Sequence, residues 1–319
     1  MKNQVHIVAS CADRKRIQPS LACCLRSHRT TKARSRFQSF VGELERAGGV
    51  TTPAVDLYLG PYWATIRELP MVAIGSRLDV TLWVASAGYG LIPAGAQIRS
   101  YSATFQVGVP DAVASGESED SVRDQVAAWW SALASWSGPA KGAPRSLVEL
   151  VADSPRASLF VVGSPRYVQA MEADILRAAS TAPDRVSVIS SIPSNDESRL
   201  AQLVVPSEAA LLPVVGGALP SLHARVARHV LANAKKRGTR TSDLRSHYSR
   251  LVRSSDYAGM PQRRPASDAE VMRFVKKALR KVPGLSASPA LRMWRGSGRA
   301  CEHKRFRRLF LEVAAGHDH

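Results

Sequence analysis

The sequence predicts an α/β protein: a mostly parallel or mixed sheet flanked by helices over residues 1–215, then a basic all-helical nucleic-acid-binding domain over residues 216–319. Three observations predict it. Short apolar runs alternate with amphipathic stretches through the first two thirds, the last third turns to capped helical patterns, and the excess positive charge concentrates there.

Residues 5–9, 80–85, 159–162 and 186–189 are short runs rich in Val, Ile and Leu, as expected of strands buried on both faces. Between them, Phe37, Phe40, Val41 and Leu44 repeat at helical spacing and stop at Gly48-Gly49. Further helical patterns cover 63–69, 122–133 and 167–178, so the strands are joined by crossovers and their carboxyl ends face one side. Trp129 and Trp130 belong to the core by this reading. In the last third, Ser221 precedes the stripe Leu222, Val226, Ala227, Val230 and Leu231, and Gly238 follows Lys235, Lys236 and Arg237 at its end. Leu244, Tyr248, Leu251 and Val252 make a second stripe after Thr241 and Ser242. Ser267 with Glu270 forms a capping box before Val271, Phe274, Val275 and Ala278, and Pro283-Gly284 stops that helix. Phe306, Leu309, Phe310 and Val313 mark a last one.

The 319 residues carry 44 Lys and Arg against 26 Asp and Glu, a net charge of +18. Residues 221–319 hold 23 basic and 7 acidic side chains, and residues 1–36 hold 9 and 1. A domain so charged repels itself unless a polyanion neutralises it, and nucleic acid fits better than a membrane surface. Arg263 and Arg264, in the loop GMPQRRPAS, and Lys304, Arg305 and Arg308, in the last helix, are the expected contacts there. No apolar run reaches the ~20 residues of a spanning helix, and the amino end lacks the order of a signal peptide, so a cytoplasmic monomer is expected. Cys11, Cys23, Cys24 and Cys301 form no CxxC pair; neither a disulfide framework nor a metal is expected, and Cys11, Cys23, Cys24 and His28 match no usual zinc spacing. No cofactor is expected either.

Each strand leads into a polar loop: SCADRKR, SAGYG, GSPRY and SSIPSN. Four clusters stand out, namely Ser10-Cys11 with Lys15, DLYLGPYW from Asp56 to Trp63, Ser86 to Ile92, and Tyr101 to Phe105. In order and spacing they resemble the YaaA-like superfamily over about the first 110 residues. That resemblance implies a DNA-associated α/β fold with base-level chemistry in some relatives. The basic domain behind it is similar to that of bacterial antiphage DNA glycosylases, which excise glucosylated hydroxymethylcytosine from phage DNA. Two positions depart: Gly88 stands where many relatives have a basic residue, and Ser102 where many have an acid. The resemblance therefore carries no acid/base role onto that stretch.

Breaking an N-glycosidic bond builds positive charge on the sugar, so such a site needs a carboxylate near C1′ and no metal. Asp56, among Tyr58, Tyr62 and Trp63, is the first choice, with a turn-capping role as its structural alternative; Asp13 and Asp111 rank below it. A flipped base must be stacked and read at its edges. Tyr58, Trp63, Tyr89, Tyr101, Phe105 and Tyr167 supply rings, Ser10, Cys11, Ser86, Thr104 and Ser164 polar groups, and Gly88 a close backbone amide. Arg14, Lys15, Arg16 and Arg67 are the expected phosphate contacts on this side. The competing readings are a non-catalytic DNA-binding protein of the stress-response type and a tRNA base-modifying transglycosylase. A two-metal nuclease lacks the clustered carboxylates it needs.

Overall fold

A computed structural model describes residues 3–28, 33–46, 48–115, 118–192, 198–257 and 264–315. The chain divides into two compact units, Met1–Tyr257 and Ala258–His319.

The first unit is built on a six-stranded sheet. In chain order it contains β1 (Asn3–Ser10), α1 (Ala33–Arg46), β2 (Thr52–Pro53), α2 (Ala54–Leu57), α3 (Pro61–Ile74), β3 (Leu78–Ser86), β4 (Gly90–Pro93) and β5 (Gln97–Ile98). There follow α4 (Glu119–Ser135), α5 (Leu147–Asp153), β6 (Ser158–Val162), α6 (Pro165–Ala170), α7 (Glu172–Thr181), β7 (Val186–Ser190), β8 (Val204–Pro206), α8 (Leu212–Val215), α9 (Leu222–Arg237) and α10 (Thr241–Arg253). The sheet order is β4-β3-β1-β6-β7-β8, with β2 and β5 forming a separate antiparallel pair. Five strands are parallel and β4 turns back antiparallel on β3, so the sheet is mixed, with helices flanking it. The four expected strands are its centre. β4 and β8, at its edges, carried too short an apolar run to announce themselves.

Val5, Ile7, Val8 and Ala9 are fully buried on both faces of β1, as a central strand between β3 and β6 requires. The turn after β3 is tied down from the side by Arg145. Its guanidinium donates to the carbonyls of Leu91 (2.5 Å), Tyr89 (2.6 Å), Leu133 (2.9 Å) and Trp136 (2.9 Å), and burial pulls its pKa down to about 10. Trp129 and Trp130 are buried, as read from the sequence.

The unit boundary falls after Tyr257, not after residue 215 as expected. The reason is hydrophobic. Leu222, Val226, Val230 and Leu231 of α9 are buried, with α9 packed along α3, and α10 lies against β8. Thr241 at the start of α10 donates to the Val186 carbonyl (3.0 Å) and accepts from Ser187 (3.0 Å), which fastens the helix to β7. Charge on the outer faces marked these helices as part of a basic domain, but their apolar stripes complete the cover of the sheet. Among the described residues no single helix is long and apolar enough to cross a membrane.

The second unit is small and helical, with α11 (Asp268–Lys281), α12 (Ala287–Gly296) and α13 (His303–Ala315). A short parallel pair, β9 (Arg264–Pro265) with β10 (Arg299–Ala300), joins its loops. Its own core contains Val271, Val275, Leu291, Trp294, Phe306, Leu309 and Phe310. The capping box of Ser267 and Glu270 is present.

Candidate active site

Strand order places the site. From β1 the chain runs out to β3 and β4 on one side, then returns to lay β6 against the other side of β1. Loops leaving the carboxyl ends of β1 and β6 therefore diverge, and a crevice opens between them. Gly163, just past β6, lets the two ends meet: a Cβ there would lie 3.1 Å from the Ser10 Cβ and Oγ. Above that contact is a cavity of about 550 Å³. Ser10, Cys11 and Asp13 line it from the β1 loop, Ser164 and Tyr167 from the β6 loop, and Ser102, Thr104 and Asp111 from the segment after β5. Arg26, Tyr62 and His223 complete the wall.

Of the expected binding residues, Ser10, Cys11, Thr104, Ser164 and Tyr167 meet here. Cys11 Sγ lies 2.9 Å from the Tyr167 hydroxyl. Tyr167 packs edge-on against Phe105, and burial holds its hydroxyl far above its ordinary pKa, so it stays a neutral donor.

The remaining aromatics are not stacking platforms. Tyr58, Trp63, Tyr101 and Phe105 are fully buried and form the packing beneath the cavity. Tyr58 stacks on Trp63 at 4.9 Å, and Trp63 Nε1 donates to the Ser10 carbonyl, which fixes the end of β1. Ser86 is a hub: its Oγ accepts from the amides of Gly88 (3.2 Å) and Tyr89 (2.9 Å) and bonds the Tyr101 hydroxyl at 2.6 Å. Tyr101 in turn bonds Tyr58 at 3.0 Å, and burial raises the pKa of both phenols. The glycine at 88 has a steric cause, since a Cβ would sit 2.4 Å from the Tyr101 ring. Tyr89 is buried too, edge-on to Tyr101 and stacked on Trp136. Ser86, Gly88 and Tyr89 therefore support the wall and do not line it. A sequence motif cannot separate the two cases, because an aromatic looks the same in a core as in a pocket.

Asp56 is the main correction. It is an exposed residue of the one-turn α2, outside the cavity lining, and its backbone carbonyl accepts from Arg16 Nε (3.2 Å). The buried side of that turn is Ala54 and Leu57, which directs position 56 to solvent. Two other carboxylates line the cavity. Asp13 is exposed at the mouth. Asp111 is buried in the wall, where Oδ2 accepts from Arg26 (2.6 Å) and Ser102 (2.8 Å) and Oδ1 accepts from the Arg26 amide (2.9 Å). An acid thus stands beside position 102 although Ser102 is not one.

The expected cations of this unit also separate. Arg14 is exposed. Arg67 donates to the carbonyls of Val55 (3.1 Å) and Tyr58 (2.9 Å), so it closes the α2 turn from inside. Lys15 donates to the Asp13 carbonyl (3.2 Å) and lies 4.6 Å from the Tyr101 ring centroid; burial lowers its pKa, opposed by nearby Cys11, Asp13 and Asp111. It lies under the β1 loop, outside the cavity lining. In the second unit Arg264 is exposed, Lys304 is exposed at the start of α13, and Arg305 and Arg308 both bind Asp268. Arg263 lies outside the described residues.

His223 was missed because it belongs to no motif; it is a half-buried residue in the first turn of α9, beside the buried stripe. Its Nδ1 is 2.9 Å from Ser207 Oγ, and burial lowers its pKa to about 4, so the ring is neutral near pH 7. The cavity thus combines two carboxylates, a neutral imidazole, two phenols and several aliphatic hydroxyls.

Fold and cavity together define an α/β protein with a polar site at the carboxyl edge of its sheet. Comparison with protein-family models, curated proteins and solved structures finds no match.

Proposed function

We propose that the chain is a DNA glycosylase that removes a modified base from phage DNA, glucosylated hydroxymethylcytosine being the favoured substrate, as a cytoplasmic antiviral defence. The observation that carries this reading is the cavity of about 550 Å³ at the β1–β6 crevice, polar on its walls and furnished with Asp13 and Asp111. That volume lies within the range of small-ligand sites and has room for a base with a sugar substituent. The order of the motifs, with its resemblance to the YaaA-like superfamily, and the basic charge of the chain support the same reading.

In the reaction the C1′–N bond breaks and its electrons leave with the base. Positive charge grows at C1′, where Asp111, already oriented by Arg26 and Ser102, lowers its energy electrostatically. Water adds to C1′ and gives up a proton to Asp13 at the mouth. Tyr167, Thr104 and Ser164 hydrogen-bond the expelled base or its sugar. A proton returned to the base completes the balance, leaving an abasic site. The test is mass spectrometry of bases released from unmodified, hydroxymethylated and glucosylated DNA. Release from glucosylated DNA is the expected result; salt-dependent DNA binding with no release from any substrate would leave a binding protein and sink the proposal.

A further inference from the structure

Arg305 and Arg308 are paired with acids at the surface of the second unit, which raises the question of which cations there are left for a partner. Four acids lie among its described residues, and all four are engaged. Asp268 holds Arg305 and Arg308, Glu270 closes the capping box, Glu302 accepts from the amides of Lys304 and Arg305 at the start of α13, and Glu312 pairs with Arg308.

Helix α11 carries five cations that none of these acids reaches. Arg273, Lys276, Lys277, Arg280 and Lys281 are all exposed, and none forms an ion pair among the described residues. Their spacing of three and four puts them on one face, opposite the buried Val271, Val275 and Ala278. The stripe runs about 12 Å along the helix axis. Like charges at such spacing destabilise a helix, so the arrangement costs the isolated fold something that an external polyanion offsets. The acids of α11 are confined to its first turn, which leaves the stripe unbroken.

The geometry points to this face of α11 as a sequence-independent grip on the phosphate backbone of duplex DNA, separate from the cavity where a base is handled. The choice of duplex DNA rests on the proposed function above; the stripe itself offers no base-reading amides, only point charges and guanidinium groups suited to phosphate.

The test is binding of the full chain to an unmodified duplex, followed by fluorescence anisotropy through a salt titration. Each phosphate contact contributes about 0.9 to the slope of log K against log salt, so K276Q/K277Q is expected to make the slope shallower by about 2. R308Q, which loses only internal pairs, is expected to keep the wild-type slope. A wild-type slope in K276Q/K277Q and in the charge-reversed K276E/K277E, with unchanged thermal melting, overturns the inference, as does preference for polyglutamate over the duplex. Because the duplex holds no modified base, the outcome is independent of excision. A chain that binds with the expected slopes but releases no base sinks the glycosylase reading alone.

Discussion

Gly88→Ala tests whether the turn after β3 supports the cavity in the way described. The new Cβ would lie 2.4, 2.5 and 3.1 Å from Tyr101 ring carbons, and that ring is fully buried, so it cannot swing into open space. Moving it strains the packing, at about 1–3 kcal/mol for an overpacked core. It also loosens the Tyr101 bonds to Ser86 and Tyr58, at about 1 kcal/mol each. The sum is about 3–5 kcal/mol, or a melting point roughly 6–20 °C lower for a unit of this size. Differential scanning calorimetry measures it, with Gly95→Ala as the control, since nothing lies within 4 Å of a Cβ at that position. Tyr101→Leu in the Gly88→Ala background should recover part of the loss by clearing the ring. A Gly88→Ala melting point within about 1 °C of wild type would mean that the ring has room to move and would refute the reasoning.

Three further outcomes follow from the geometry. Asp111→Asn should lose base release with DNA binding intact and Asp13→Asn should slow release, while Asp56→Asn should behave as wild type in the same assay; loss confined to Asp56→Asn reverses the assignment. Arg145→Met removes four hydrogen bonds to carbonyls, of which Leu133 keeps the Trp136 amide, and about 3–5 kcal/mol of stability should go, read as a lower urea midpoint at constant m; a loss under about 1 kcal/mol contradicts the bracing role. His223 has a folded-state pKa near 4 against 6.5 in the unfolded chain, so the unfolded state binds the extra proton between those values. Its stabilising contribution is complete above pH 6.5 and declines by about 3 kcal/mol as pH falls to 4. His223→Asn should flatten that acid limb in pH-dependent unfolding, and an unaltered limb assigns it to other groups.

The central strands and the helices between them were legible because burial on both faces leaves a run of Val, Ile and Leu that needs no partner to be recognised. The switch point was not, since it depends on which side of β1 each later strand joins, and no local pattern records that. This one unknown governs the whole site. With β6 beside β1, the Ser10-Cys11 and Ser164-Tyr167 loops flank one crevice and Asp111 stands in its wall beside Ser102, whereas Asp56 is left on the outer side of a one-turn helix. The same motifs that marked the cavity also supplied its foundations, so five of the six rings named from the sequence for stacking serve by holding the wall, and Tyr167 alone of them lines it. His223 shows the converse. Its helix was assigned by charge to a nucleic-acid-binding domain, yet the apolar stripe that binds the helix to the sheet is what carries the imidazole into the cavity. Charge therefore reports on the second unit most reliably where it is left unpaired, on the outer face of α11, and least where the neighbouring side chains already answer it.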